Sequence, residues 1–125
     1  MIDHISIAVS DLARAAKFYE TVLGTLGMTK LRSWPASVGF GKNYPEFWLN
    51  HRPGMAPIGA DSGVHICVRA RGKDALDAFY VAALKGGATS DGAAGMRLQY
   101  NDKYYAAFIR DPDGNRVEVV TFLEK

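Results

Sequence analysis

Two histidines and one glutamate stand at positions where they could together bind a metal ion. His4 and His65 each open a predicted strand, and Glu118 lies on the last predicted strand. Imidazole and carboxylate together suit divalent iron, manganese, nickel, zinc or cobalt, and three protein ligands leave positions open for water or substrate. The alternative is that His4 is a surface residue, His65 a satisfied core histidine and Glu118 a solvated strand residue. Residue type alone therefore leaves a metal site and three ordinary roles open.

An internal repeat places the two histidines at equivalent positions. Residues 4–9 read His-Ile-Ser-Ile-Ala-Val, and residues 65–70 read His-Ile-Cys-Val-Arg-Ala. A Phe-Tyr pair at residues 18–19 returns at residues 79–80 with the same offset. Such repetition predicts two copies of one supersecondary unit, each opening with a histidine on a strand. Because the same residue type recurs at the same structural position, the repeat makes the metal site an equal alternative to the ordinary roles.

The elements that must position these residues follow from hydrophobic periodicity and turn signals. The pattern predicts strands at 4–9, 31–34, 37–41, 46–50, 64–70, 96–100, 104–110 and 116–122, with helices at 12–23 and 73–85. The glycine- and alanine-rich run 90–95 is predicted to be an exposed loop. Residues 111–114 read Asp-Pro-Asp-Gly, which predicts a type I turn between the last two strands. The predicted order is βαβββ twice, an α+β fold.

The chain is predicted to form a single domain over residues 1–125. Module 1 covers about residues 1–52, a linker rich in proline and glycine covers about 53–62, and module 2 covers about 63–125. A module of this size would bury too little apolar surface to be stable alone. We therefore expect the two modules to share one core.

Composition excludes several classes of function. The net charge of +2 arises from scattered basic residues, which does not indicate a nucleic-acid partner. One cysteine cannot form an intramolecular disulfide, so no oxidising compartment is indicated. The sequence shows no signal peptide, transit peptide or membrane span, and the expected location is the cytoplasm, with no membrane partner.

The most distinctive motifs lie at the two ends of the chain. Residues 3–9 read Asp-His-Ile-Ser-Ile-Ala-Val, and residues 108–115 read Phe-Ile-Arg-Asp-Pro-Asp-Gly-Asn, shortly before Glu118. Through them, nearly the whole chain resembles the vicinal oxygen chelate superfamily, which includes glyoxalase I, extradiol dioxygenases, fosfomycin-resistance proteins and bleomycin-resistance proteins. The resemblance implies paired βαβββ modules that form a curved eight-stranded sheet around a metal-site cavity. It also implies that His4, His65 and Glu118 are the metal ligands.

The resemblance to glyoxalase I is incomplete at one position. Glyoxalase I has a fourth ligand, a glutamate on the last strand of the first module, where this chain has Trp48. Glu46 lies on the same predicted face but two residues earlier. The ligand set therefore resembles that of the extradiol dioxygenases and fosfomycin-resistance proteins, and a strict glyoxalase assignment is not favoured.

Aromatic side chains are expected to line the cavity. The resemblance implies that Phe108 faces it, and strand alternation adds Tyr104. Trp48 would face them from the other module, although core packing is an equal alternative for Trp48 and Phe108. Tyr100 could supply a proton donor, and Arg97 could pair with an anion. These expectations make Trp48, Tyr100, Tyr104 and Phe108 the candidate substrate-binding residues. Cys67, on the predicted face of His65, is interpreted as a small buried hydrophobe.

The predicted function is a metal-dependent enzyme of the glyoxalase or dioxygenase type. The resemblance implies a small oxygen-rich substrate bound through two neighbouring oxygens, with Glu118 as a ligand that could also move a proton. The alternative is a metal-free protein that sequesters a ligand, as bleomycin-resistance proteins do. A homodimer is expected because family members commonly pair their modules across a two-fold axis. If the modules are exchanged, His4 would meet His65 and Glu118 of the other chain.

Overall fold

The computed structural model describes residues 1–124, and its elements follow the predicted order. Module 1 contains β1 (Ile5–Val9), α1 (Leu12–Gly24), β2 (Thr29–Trp34), β3 (Ser37–Gly41) and β4 (Phe47–His51). Module 2 contains β5 (Ile66–Arg69), α2 (Lys73–Lys85), β6 (Thr89–Met96), β7 (Tyr104–Arg110) and β8 (Arg116–Phe122). The predicted α+β fold with paired βαβββ modules is confirmed.

The strands form two sheets with the same topology. Their orders are β1-β4-β3-β2 and β5-β8-β7-β6. In each sheet the first strand of the module pairs in parallel with the last, and the other neighbours are antiparallel. The eight predicted strands of one chain are therefore divided by their hydrogen bonds into two sheets of four. Equivalent strands occupy equivalent places, which explains the repeat in the sequence.

The core lies where the two helices meet the inner faces of both sheets. Residues three and four apart along α1 form a buried stripe, which is Ala15, Phe18, Tyr19, Val22 and Leu23. The buried residues of α2 are Leu76, Phe79 and Ala83. They belong to one cluster that includes side chains of both modules. None of the described helices is long and apolar enough to cross a membrane.

The prediction for the strand before β7 was wrong. The sequence pattern predicts a loop at 90–95 and a strand at 96–100, whereas β6 occupies Thr89–Met96 and residues 97–100 lie outside any strand. Glycine and alanine have low strand propensity, so the pattern concealed β6. Its strand geometry comes from pairing with β7, with register shifts on both sides of Gly92.

Gly92 shows why small residues are used in this strand. Its φ is +149°, and a Cβ there would lie 3.1 Å from Nη2 of Arg97 and 3.3 Å from Cδ1 of Phe108. Both distances are shorter than ordinary contacts to a side chain. Glycine therefore leaves the space in which these two larger side chains pack.

The turn between β7 and β8 fastens module 2 to module 1. Asp111 is only 5% exposed, and its carboxylate accepts a hydrogen bond of 2.6 Å from the Tyr19 hydroxyl of α1. The same carboxylate accepts hydrogen bonds from the backbone N–H groups of Asp113 and Asn115 and from the Asn115 amide. Across the interface, Asp113 accepts from the backbone N–H of Ser10, and the Asn115 amide donates to a module 1 carbonyl. The motif at 111–115 is thus structural.

Burial is the largest cause of the shifted pKa values of Asp111 and Tyr19. It raises the pKa of Asp111, although the hydrogen bonds from Tyr19 and Asn115 act in the opposite direction. Burial, followed by the negative charge of Asp111, raises the pKa of the Tyr19 hydroxyl. Tyr19 therefore remains a hydrogen-bond donor at neutral pH.

Candidate functional site

The face of β7 and β8 that points away from the helices forms one wall of a cavity. Alternation sends Val117 and Val119 into the core and turns Glu118 to the other side, as predicted. In the same way Tyr104, Ala106 and Phe108 of β7 share one face with Val120 of β8. The cavity has a volume of about 400 Å³ and is lined by His65, Tyr100, Tyr104, Phe108, Arg116 and Glu118.

Glu118 is the central polar group of the cavity. It is 3% exposed, and its strand register places it opposite Phe108 of β7 and Cys67 of β5. One carboxylate oxygen, Oε1, lies 3.0 Å from Nε2 of His65. The other, Oε2, accepts a hydrogen bond of 2.5 Å from the Tyr104 hydroxyl. A buried carboxylate must be paired or hydrogen-bonded, and these two partners meet that requirement.

The Glu118 carboxylate also contributes to raised pKa values of two neighbouring side chains, Tyr104 and Cys67. Burial and the hydrogen bond to Glu118 raise the pKa of Tyr104, so that this phenol stays protonated at neutral pH. Partial burial of the thiol, followed by the charge of Glu118, raises the pKa of Cys67 to about 12. A thiol in this state is a poor nucleophile and a poor metal ligand, since both roles need the thiolate.

The prediction that Cys67 is a buried hydrophobe was wrong, because the residue as a whole is exposed, although its thiol is partly shielded from water beside Glu118. It lies on β5, an edge strand of its sheet. Ile66 and Val68 on either side of it pack against the core cluster. Alternation therefore directs Cys67 to the face that the helices do not cover.

The distance between His65 and Glu118 suits two ligands of one metal ion. Two ligand atoms about 2.1 Å from an ion and at right angles around it lie about 3.0 Å apart. The observed separation of Nε2 and Oε1 is 3.0 Å. Within residues 1–124, however, no three His, Cys, Asp or Glu side chains of one chain are placed to hold a metal. One chain therefore offers two of the three predicted ligands in one place.

His4 lies away from this cavity. It precedes β1, is exposed, and its Nδ1 lies 2.7 Å from the Asp3 carboxylate. It lines a separate cleft between the beginning of β1 and the β5 edge, together with Glu46. His4 and His65 therefore occupy equivalent positions in their modules without sharing a site within one chain.

Trp48 also lies outside the cavity of module 2. It sits on β4, half-buried, next to Gly39 in the strand register. Its ring centre is 5.3 Å from that of Trp34, a residue that is 57% exposed. The two indoles form an aromatic patch on the face of the module 1 sheet that the helices leave uncovered.

Sequence reasoning missed Arg116 as a cavity residue. Its guanidinium lies 4.7 Å from the ring centre of Phe108. Its Nε donates a hydrogen bond of 2.5 Å to Asp91. Arg116 is two residues before Glu118 on the same strand, so the alternation that located Glu118 also locates Arg116.

Comparisons with known proteins agree with the fold and with the motifs. The family model described as Glyoxalase/Bleomycin resistance protein/Dioxygenase superfamily matches residues 1–119. A glyoxalase/bleomycin resistance protein from Albidiferax ferrireducens is similar in structure, with a TM-score of 0.84 and 28% identity over 96% of this chain and 98% of that one. No match is found among the curated proteins.

Two more distant structures share the fold. A glyoxalase/bleomycin resistance protein/dioxygenase from Alicyclobacillus acidocaldarius has a TM-score of 0.69 and 18% identity, over 99% of this chain and 92% of that one. The genomically encoded fosfomycin resistance protein FosX from Listeria monocytogenes has a TM-score of 0.70 and 13% identity, over 96% and 91%. At these identities the likeness concerns the fold alone.

Proposed function

Because the chain belongs to the Glyoxalase/Bleomycin resistance protein/Dioxygenase superfamily, we propose that it is a metal-dependent enzyme acting on a small oxygen-rich molecule. The observation that carries this proposal is the pair of His65 and Glu118 at the cavity wall. Their facing atoms are 3.0 Å apart, and Glu118 is buried. A buried carboxylate beside an imidazole in a cavity is a costly arrangement that a metal site would use.

The third ligand in this proposal is His4 of a second copy of the chain. His4 is exposed, as a residue that must reach a neighbouring subunit needs to be. The patch of Trp34 and Trp48 is an uncovered aromatic surface on the same module, which suits burial against another copy. In a two-fold dimer each chain would give His4 to one site and receive it at the other.

The bound metal would supply a Lewis acid for two neighbouring substrate oxygens. Glu118 would hold it through the oxygen that now faces His65, while Tyr104 fixes the other oxygen by its hydrogen bond. Because its pKa is raised, Tyr104 keeps the proton that it donates to Glu118, and its hydroxyl oxygen is left to accept a hydrogen bond from a substrate hydroxyl. Phe108 and Tyr100 would wall the substrate from water.

A metal-free ligand-binding protein is the second candidate. The observation in its favour is that both oxygens of Glu118 already have partners within one chain, His65 and Tyr104. The carboxylate therefore needs no ion to offset its burial. An aromatic cavity of about 400 Å³ could hold a small ligand in this state.

Metal analysis separates the two candidates. Protein purified without chelator or histidine tag and loaded with excess divalent metal should retain about one equivalent per chain. His4→Gln, His65→Gln and Glu118→Gln should each lose it. His51→Gln is the matched control, since His51 lies at the end of β4 and lines neither the cavity nor the cleft of His4.

The same analysis can contradict the enzyme proposal. Retention should also weaken below about pH 6, where free imidazoles become protonated. If the wild type and Glu118→Gln carry the same trace of metal after loading, the metal-free binding protein is favoured. If His4→Gln alone keeps a full equivalent, the ligand set does not include His4.

A further inference from the structure

Arginines converge on Phe108, the aromatic wall of the cavity. The guanidinium of Arg116 lines the cavity and lies 4.7 Å from the Phe108 ring centre. That of Arg97 lies 5.7 Å from the same centre. The space for Arg97 depends on Gly92, because a Cβ at that position would lie 3.1 Å from its Nη2. The fold therefore makes room for two cations beside one ring.

Arg97 is held in place by backbone oxygens rather than by a carboxylate. Its guanidinium donates hydrogen bonds to the carbonyl groups of Ala93, Gly95 and Met96. No ion pair to Arg97 is present within residues 1–124. Carbonyl groups fix the side chain without neutralising its charge. A half-buried cation of this kind raises the positive potential near the cavity.

The carboxylate of Asp91 is shared by Arg116 and a third arginine, Arg110. Asp91 Oδ2 accepts from Nε of Arg116 and lies 3.5 Å from Nη2 of Arg110. The bond to Asp91 orients Arg116 through Nε, and its Nη atoms make no hydrogen bond to another described residue. Three arginines, Arg97, Arg110 and Arg116, thus lie on this side with two carboxylates, Asp91 and Glu118, and the oxygens of Glu118 already have His65 and Tyr104 as partners.

From this arrangement we infer that the substrate carries a carboxylate, which Arg116 binds through its free Nη atoms while the substrate body packs on Phe108. The two Nη groups match the two oxygens of a carboxylate in a bidentate pair. Arg116 is then the residue that selects anionic over neutral substrates, and Arg97 adds long-range attraction. The inference rests on the proposed function because it names the substrate class of the same cavity.

Benzoate and benzamide are suitable probes, since they share a ring and differ mainly in charge. Full-length wild-type protein, treated with chelator, would be titrated with each in an NMR experiment that follows the backbone amides of β7 and β8. We expect benzoate to bind at least about tenfold more tightly than benzamide, as for a charge-assisted hydrogen-bonded pair. Benzoate binding should also weaken with added salt, while benzamide binding should not.

Three variants assign the effect to Arg116. Arg116→Gln should lose about tenfold or more in benzoate affinity, so that its preference for benzoate over benzamide disappears. Arg116→Lys should recover part of the loss, because an ammonium keeps the charge without the planar fork. Arg32→Gln is the matched control: it removes the same charge from the exposed strand β2 and should bind benzoate like the wild type.

Equal affinity of the wild type for benzoate and benzamide would overturn the inference, as would the absence of saturable benzoate binding. Unchanged benzoate affinity in a folded Arg116→Gln would do the same. If that variant does not fold, the relative affinity of the wild type for benzoate and benzamide, and its dependence on salt, still test the inference. Metal binding with no preference for benzoate would reject the anion and keep the metal enzyme. A preference for benzoate in protein that binds no metal would support the carboxylate-bearing substrate and reject the metal-dependent enzyme.

Discussion

The hydroxyl of Tyr19 offers a direct test of how the two modules are joined. Tyr19 is fully buried on α1, and its hydroxyl donates to Asp111 at 2.6 Å across the module interface. Tyr19→Phe removes that single donor and keeps the ring that packs in the core. Asp111 retains its bonds from Asp113 and Asn115, so the turn itself is preserved.

The size of the effect follows from the charge and burial of the acceptor. Hydrogen bonds to charged groups contribute about 1.5–3 kcal/mol, and the value is largest where the partner left behind cannot reach water. Asp111 is 5% exposed, so the carboxylate would lose a donor that solvent cannot easily replace. We expect Tyr19→Phe to lower the free energy of unfolding by about 2 kcal/mol at pH 7.

The effect should depend on pH in a defined direction. Burial raises the pKa of Asp111 in the folded state, so its contribution to stability is present at low pH and is lost as pH rises through that pKa. The Tyr19 hydroxyl opposes this loss because it favours the ionised carboxylate. The cost of Tyr19→Phe should therefore be larger above the raised pKa of Asp111, where the carboxylate is ionised, than below it, where the carboxylate is protonated.

Urea unfolding of wild type and variants measures these differences. Tyr44→Phe is the matched control, because its hydroxyl also approaches an aspartate but is exposed, and it should change stability by less than about 0.5 kcal/mol. With an m-value of about 2 kcal/mol per molar, the midpoint of Tyr19→Phe should fall by about 1 M urea. A Tyr19→Phe protein as stable as Tyr44→Phe, or an effect that grows as pH falls, would refute this reasoning.

Two further predictions concern assembly and activity. Sedimentation equilibrium at micromolar concentration should give about twice the chain mass of 13.6 kDa, and a clean monomer would contradict the shared site. Metal-loaded wild type should show little or no turnover of the glutathione hemithioacetal, because the resemblance to glyoxalase I implies that Trp48 replaces a glutamate that could act as a base. Robust turnover would mean that another residue, such as Glu46, fills the fourth position.

The side chains of β7 and β8 could be assigned to their faces from sequence because alternation is a property of the extended chain itself. Val117 and Val119 are apolar and flank Glu118, which is enough to decide which way each points. The same rule correctly paired Phe108 with Tyr104 on the cavity side. For a regular strand, the face of the sheet on which each side chain lies can therefore be predicted from the sequence of that strand alone.

Strand β6 and the cavity arginines depend on neighbours that are distant in sequence. The backbone of β6 becomes a strand because β7 offers hydrogen bonds, and its glycines reflect the space that Arg97 and Phe108 occupy. Local propensity carries no information about such a neighbour. Arg116 was readable in principle but appeared as an ordinary charged residue of an alternating strand.

The repeat could not reveal which modules share a site. It correctly predicted equivalent positions for His4 and His65, because each precedes the first strand of a module. Their distance depends on how the modules pack, and the shared core on the helix side leaves His4 in a different cleft from His65. The distance between His4 and His65 is set by packing between the modules, and no repeating pattern in the sequence records that packing.

Mixed dimers test the shared metal site most directly. His4→Gln and Glu118→Gln proteins, each metal-free alone, would be unfolded together, refolded and loaded with metal. In an exchanged dimer one site collects both substitutions and the other keeps all three native ligands, so random pairing should restore about one quarter of an equivalent per chain. If every ligand came from one chain, each mixed dimer would carry a lesion in both sites. Metal content that stays at zero in the mixture, although dimers form, would contradict the shared site.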